Sequence, residues 1–245
     1  LFSFKRSRYS CALSAHKTMS VSALITLTKL RLSFGKSIAS NLCIPHFDAS
    51  SDNLKKPKEI IKFIRANSLN DIHGKSFILL CQNEGLSLAQ ISNEQILSIR
   101  ADFHSGNLRY RQLSGGGKSQ MIAKAVGIHT NFCPHILDAT GGLGRDAFTL
   151  ASLGCRVDLI ERVPELHALI KDGFSRAIKW SVNYDANLID IIKRIKLVRA
   201  EAQSYMQELN SKSYPEVIYL DPMFPQRKKS ALVKNEMIVL KNFIG

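Results

Sequence analysis

Three carboxylates stand where short apolar runs end. Asp138 closes "HILD", Glu161 closes "VDLIE" and Asp221 closes "VIYLD". Apolar runs of this length read as strands of a buried sheet, so each acid marks a strand end. Between the first two lies "DATGGLGRDA", a glycine loop that follows a strand and opens a helix, with Glu161 seventeen positions after Gly144. This order is a nucleotide-binding arrangement. Glycines let a ligand approach the backbone, the helix start aims its amides at it, and the second acid accepts ribose hydroxyls. The third acid opens "DPMFP", and a run of cations follows it.

Two ligands fit the loop. Gly142-x-Gly144-x-x-Ala147 satisfies the NAD fingerprint, in which Ala is allowed last. Asp138, at the mouth of the loop, would repel the pyrophosphate of NAD. S-adenosylmethionine (SAM) carries no phosphate, and its sulfonium and ammonium are attracted by an acid there. At about 4 Å and an effective dielectric near 20, one such pair is worth on the order of 4 kcal/mol before desolvation. Asp146 adds a further negative charge. The plainer alternative is that Asp138 caps the turn and Asp146 favours the helix start. Two such acids together with Glu161 favour the cationic ligand.

Asp221 then has a task. An exocyclic amine on a base is a poor nucleophile, because its lone pair is delocalised into the ring. A carboxylate and a proline-kinked backbone carbonyl can accept its hydrogen bonds as the nitrogen turns pyramidal. Phe224 can hold the base by stacking, worth about 1–3 kcal/mol. The order Asp221-Pro222-Met223-Phe224 is similar to the Asp/Asn-Pro-Pro-aromatic signature of amino-group methyltransferases, with Met223 in place of the second proline. The alternative is a proline-rich turn with Phe224 in the core. Arg227, Lys228, Lys229 and Lys234 read as a rim that grips phosphate. Upstream, Gly117-Lys118-Ser119 resembles the end of a P-loop, but the required glycine is replaced by Gln112. That stretch reads as a hinge, or as a helix start with Lys118 meeting an RNA phosphate.

These residues need a scaffold. From Pro134 the pattern alternates strand and helix, which predicts a parallel sheet covered on both faces. Residues 53–113 read as a small α+β region. Within it, "KEIIKFIRANSL" has a helical period, and "SFILLCQNEGLSLAQ" reads as two strands around a turn. The first 36 residues hold seven Lys and Arg and no acid. Residues 1–52 are therefore expected to be a basic extension, disordered or upstream of a start at Met19. The 245 residues carry a net charge of +14, a field that attracts polyanions. Five scattered cysteines, none in C-x-x-C, argue against a disulfide framework or zinc site and fit a reducing, cytoplasmic setting. No histidine spacing implies a metal, and no apolar run reaches membrane-spanning length.

Four segments together resemble the ribosomal RNA small-subunit methyltransferase J family. They are "GGGKSQMIAKAVGI", "DATGGLGRDAFTLASLGCRV", "IERVP" and "VIYLDPMFPQRKKSALVKNEM". The resemblance implies a Rossmann-like class I SAM-dependent methyltransferase fold over residues 114–245. It implies N2-methylation of one guanine in small-subunit (16S) rRNA, on naked rRNA or a ribosomal particle. Family cofactor contacts carry over to Arg145, Asp146, Glu161, Arg162 and Asp221. A Ser-Ser pair of the family falls on Glu201 and Ala202, where the acid would bond the adenine amine and Ala202 offers only backbone. The family continues for about one more βα unit and a hairpin, so the fold is expected to be incomplete at the C-terminus. That would leave the Asp221 strand at a sheet edge, a liability for stability and activity. Two further readings are an NAD-dependent oxidoreductase and a non-catalytic RNA-binding protein.

Overall fold

The structure, a computed structural model, describes residues 21–52, 54, 56–69, 76–92, 95–104, 121–222 and 235–244. They build two sheets. The first holds β1 (Val21–Thr26), β2 (His46–Asp48), β3 (Ser76–Gln82), β4 (Gly85–Ser92) and β5 (Gln95–Ile99), in the order β2-β1-β3-β4-β5. Helix α1 (Leu32–Leu42) carries the chain from β1 to its parallel neighbour β2. Strand β3 is also parallel to β1, and β3, β4 and β5 pair antiparallel.

Residues 21–48 thus correct the expectation of a disordered or extraneous extension. "VSALIT" is a strand with neighbours on both sides, and Ala23, Leu24, Ile25 and Thr26 are fully buried. Of the basic residues in this stretch, Lys29, Arg31 and Lys36 sit off the strand, on the crossover. A short buried strand has no period of its own, so the surrounding charge masked it. The helical period further on is realised as α2 (Pro57–Ala66), whose Ile60, Ile61 and Ile64 cover one face of this sheet.

The second sheet is all parallel, in the order β8-β7-β6-β9: β6 (Ile136–Asp138), β7 (Val157–Ile160), β8 (Ile195–Val198) and β9 (Val217–Tyr219). The chain winds from β6 out to β8, then returns to the other side of β6. That reversal puts a crevice beyond the carboxyl ends of β6 and β9, where open α/β sheets bind ligands. Its helices are α3 (Met121–Ala125), α4 (Arg145–Ser152), α5 (Pro164–Tyr184), α6 (Asn187–Lys193), α7 (Ala202–Glu208) and α8 (Asn235–Ile244). Pro164 occupies the first turn of α5, where its missing N–H costs nothing. Helix α6 has no counterpart in the sequence reading. Among the described strands β9 lies at the sheet edge.

One hydrophobic core joins the two sheets. Phe103 packs on Phe148 of α4 at 5.1 Å and on Phe174 of α5 at 4.6 Å between ring centroids. Gly173 lets α5 approach, since a Cβ there would fall 2.8 Å from the Ala101 carbonyl. Beside it, Asp172 is buried and accepts from the Leu86 amide at 2.9 Å, from Arg176 Nε at 2.8 Å and from Arg31. Burial alone would raise its pKa, but these donors prevail and hold it below the usual carboxylate range. Helix α8 reaches back to the first sheet, with Phe243 against Phe77 at 5.0 Å and Asn242 Nδ2 donating to Gln90 Oε1 at 3.0 Å. Among the described residues no helix is long and apolar enough to cross a membrane.

Candidate active site

The glycine loop leaves β6 at Asp138 and enters α4 at Arg145. Thr140 donates its amide to Asp138 Oδ1 at 3.0 Å, which folds the chain back at once. Gly141 then passes against β7. Its amide donates to the Ile160 carbonyl at 3.0 Å, and a Cβ at Gly141 would sit 2.6 Å from that oxygen, so no larger residue fits. Gly142 and Gly144 adopt left-handed backbone, at φ +55° and +72°, a region that favours glycine. Their open sides differ. A Cβ at Gly142 would meet only the Thr140 carbonyl at 3.8 Å, so it faces free space. One at Gly144 would touch Leu159, Phe103 and Ile170, so it faces the core. Gly142 is therefore placed to meet a ligand, and Gly144 serves the turn and the packing of α4.

Glu161 closes the other wall. It follows β7 directly and receives two amides, Gly142 N–H at 2.8 Å and Val163 N–H at 2.7 Å. The acid thus holds the loop in shape and retains lone pairs for a ligand. Both acids are deep: Asp138 is 1% exposed and Glu161 5%. Burial pushes Asp138 up to about 6, opposed by the Thr140 amide and reinforced by Asp146 and Asp221. Burial pushes Glu161 up to about 7, opposed by the Val163 and Gly142 amides and by Arg162, with Asp138 acting upward. Neither forms an ion pair with a described residue. Among the described residues the crevice therefore carries acids with no paired cation, and the residues fit SAM. A pyrophosphate would worsen the same imbalance.

Asp221 stands two residues past β9, exposed, with its amide donating to Thr140 Oγ1 at 2.9 Å. Asp138 and Asp221 are thus brought to one sheet edge through Thr140. Asp146 accepts from the Tyr219 hydroxyl at 3.0 Å, and burial and this acid push the phenol upward. Arg145 pairs with Glu236 of α8. Both residues read as cofactor contacts therefore have protein partners that tie the loop to β9 and α8. Arg162 and Glu201 form a loose, solvent-exposed pair at 3.8 Å across the ends of β7 and β8, and Ala202 opens α7 beside them. Phe224, Lys118, Arg227, Lys228, Lys229 and Lys234 lie outside the described residues. Thr140, Tyr219 and Glu236 escaped the sequence reading. Their partners lie 81, 73 and 91 positions away in the chain, so only the fold reveals them.

Comparison with known proteins places this geometry in a family. The model described as "Putative SAM-dependent methyltransferase" matches residues 62–245. Ribosomal RNA small subunit methyltransferase J of Cellvibrio japonicus is 46% identical over 169 residues, covering 69% of this chain. The chain spans 64% of that relative's length. The protein of the same name from Thioalkalivibrio sulfidiphilus is 41% identical over 197 residues, covering 80% of this chain and 75% of the relative. The crystal structure of a SAM-dependent methyltransferase from Neisseria gonorrhoeae superposes with a TM-score of 0.55 at 30% identity, covering 82% of this chain and 70% of that one. The chain belongs to the ribosomal RNA small subunit methyltransferase J family of SAM-dependent methyltransferases.

Proposed function

We propose that the protein transfers a methyl group from SAM to the exocyclic N2 amine of a guanine in small-subunit (16S) rRNA, as naked RNA or in a ribosomal particle. The observation that carries the reading is the pair of buried carboxylates, Asp138 and Glu161, with no ion-pair partner among the described residues, beside Asp221 at the switch point of a parallel sheet. When bound, SAM supplies an electrophilic methyl carbon. Asp138 attracts the cationic end of the ligand, and Gly142 leaves room for it against the loop. Glu161 accepts from ribose, and Glu201 from the adenine amine, with the Ala202 backbone beside it.

Asp221 serves the acceptor. Its carboxylate accepts a hydrogen bond from the guanine amine, which orients the nitrogen lone pair along the line of transfer. As the N–C bond forms, the S–CH3 bond of the donor would break, its electron pair going to sulfur to leave S-adenosylhomocysteine. The amine loses a proton, which Asp221 takes or passes to water. The rate arises mainly from proximity and alignment. Phe224 stacks on the base, and Lys118, Arg227, Lys228, Lys229 and Lys234 hold RNA phosphates; sequence alone supports these roles. The net charge of +14 favours such a partner. The test is mass spectrometry of small-subunit rRNA from cells with and without the gene. One guanine should lose a methyl group when the gene is absent, and identical spectra would refute the proposal.

A further inference from the structure

The glycine loop grips more than the donor side of the crevice. Thr140 Oγ1 accepts the amide of Asp221, and five residues later Arg145 pairs with Glu236. Asp221 and Glu236 bound the one stretch of chain that leaves β9 and returns as α8. One short loop therefore fastens both flanks of the acceptor segment. Just outside these ties, Tyr219 donates to Asp146 at 3.0 Å, and the Ala139 amide donates to the Tyr219 carbonyl at 3.1 Å. Helix α8 cannot simply follow the loop, because Phe243 and Asn242 hold its other end on the first sheet.

We propose that Thr140 and Arg145 are positioning residues for the acceptor: through them the donor loop sets where Asp221 stands. The inference rests on the methyl-transfer reading above. Physically, the Asp221 carboxylate is exposed and has no side-chain partner among the described residues, so its placement depends on its backbone. The Thr140 hydroxyl is the group that fixes that backbone, and Thr140 is itself fixed by Asp138. A displacement of about 1 Å at a reacting group can cost on the order of a hundredfold in rate. A side chain that only fixes geometry in this way changes turnover without changing ligand affinity.

The experiment compares Thr140→Val, Thr140→Ser and Glu236→Gln with the wild-type chain. It measures SAM affinity by calorimetry and single-turnover methyl transfer to small-subunit rRNA. Val keeps the shape of Thr and its amide tie to Asp138, and removes the acceptor for Asp221 together with the long 3.4 Å hydroxyl contact to Asp138, whereas Ser keeps the hydroxyl. Transfer should fall roughly tenfold or more in Thr140→Val, with SAM affinity within about threefold, and Thr140→Ser should restore it. Glu236→Gln should show the same split more weakly. Full transfer in Thr140→Val, or loss of SAM affinity in proportion to transfer, overturns the inference and leaves the methyl-transfer reading standing. A wild-type chain that binds SAM but methylates no rRNA sinks that reading, and this inference with it.

Discussion

The Asp221 amide donates to Thr140 Oγ1 at 2.9 Å, and the Thr140 amide donates in turn to Asp138 at 3.0 Å. Two acids 83 positions apart in sequence are thus joined through one threonine at the edge of the sheet. In the proposed reaction Asp138 faces the donor and Asp221 the acceptor, and the backbone turn between β6 and α4 then sets the distance between the two sides.

Asp221→Ala separates chemistry from folding. The side chain is exposed and its tie to Thr140 runs through the backbone, which alanine keeps. Methyl transfer should fall about 10²–10⁴-fold, the range for a lost general base, with the melting temperature almost unchanged. A thermal scan beside a single-turnover assay decides this. Retained turnover would remove Asp221 from the mechanism.

The pH dependence of the ligand-free fold follows from the two buried acids. Both have folded pKa values above their ordinary ones, about 6 for Asp138 and about 7 for Glu161. The native state therefore binds their protons more tightly than the unfolded chain does. Their contribution is fully present at the unfolded pKa values and below, and is lost as pH rises through 6 and 7. At about 1.4 kcal/mol per unit, each is worth on the order of 3 kcal/mol. Denaturation midpoints should fall between pH 5 and 8, and Asp138→Asn should flatten the slope. A midpoint that rises over that interval in the wild type contradicts the assignment.

Asp172 works in the opposite sense. Its folded pKa is depressed, so its contribution is present above the ordinary carboxylate range and lost on acidification. Asp172→Ala leaves the Leu86 amide, Arg176 and Arg31 without their shared acceptor. The expected loss is about 3–5 kcal/mol, as for breaking a buried ion pair from one side. Urea denaturation measures it, and a loss below about 1 kcal/mol would show that the network is not a structural tie between the sheets.

Much of the second sheet was legible because three of its four strands are short, largely apolar runs that end in acids, and all four alternate with helices. Those signals are local, and they locate Asp138, Glu161 and Asp221 at strand ends without any fold. The strand Val21–Thr26 was not legible, because a six-residue buried strand inside a basic, acid-free stretch looks like part of an unstructured arm. Helix α6 escaped because seven residues give barely two turns. The partners of Arg145 and Asp146 were hidden for a different reason. Motif reading assigns a loop residue to the ligand, whereas Glu236 and Tyr219 are brought to it only by tertiary packing. Gly144 likewise matches the fingerprint, yet its bare face meets Leu159, Phe103 and Ile170.

The carboxylates of the crevice should select a cationic methyl donor over an anionic dinucleotide. Calorimetric titration of SAM at pH 6.5, in two buffers of different ionisation enthalpy, tests it directly. A bound cation should draw Asp138 and Glu161 back toward their ordinary carboxylate pKa values, so binding should release protons and tighten roughly a hundredfold from pH 5.5 to 7.5. NAD should give no heat. Binding without proton release, or NAD displacing SAM from the site, would rule out selection of the donor by these carboxylates.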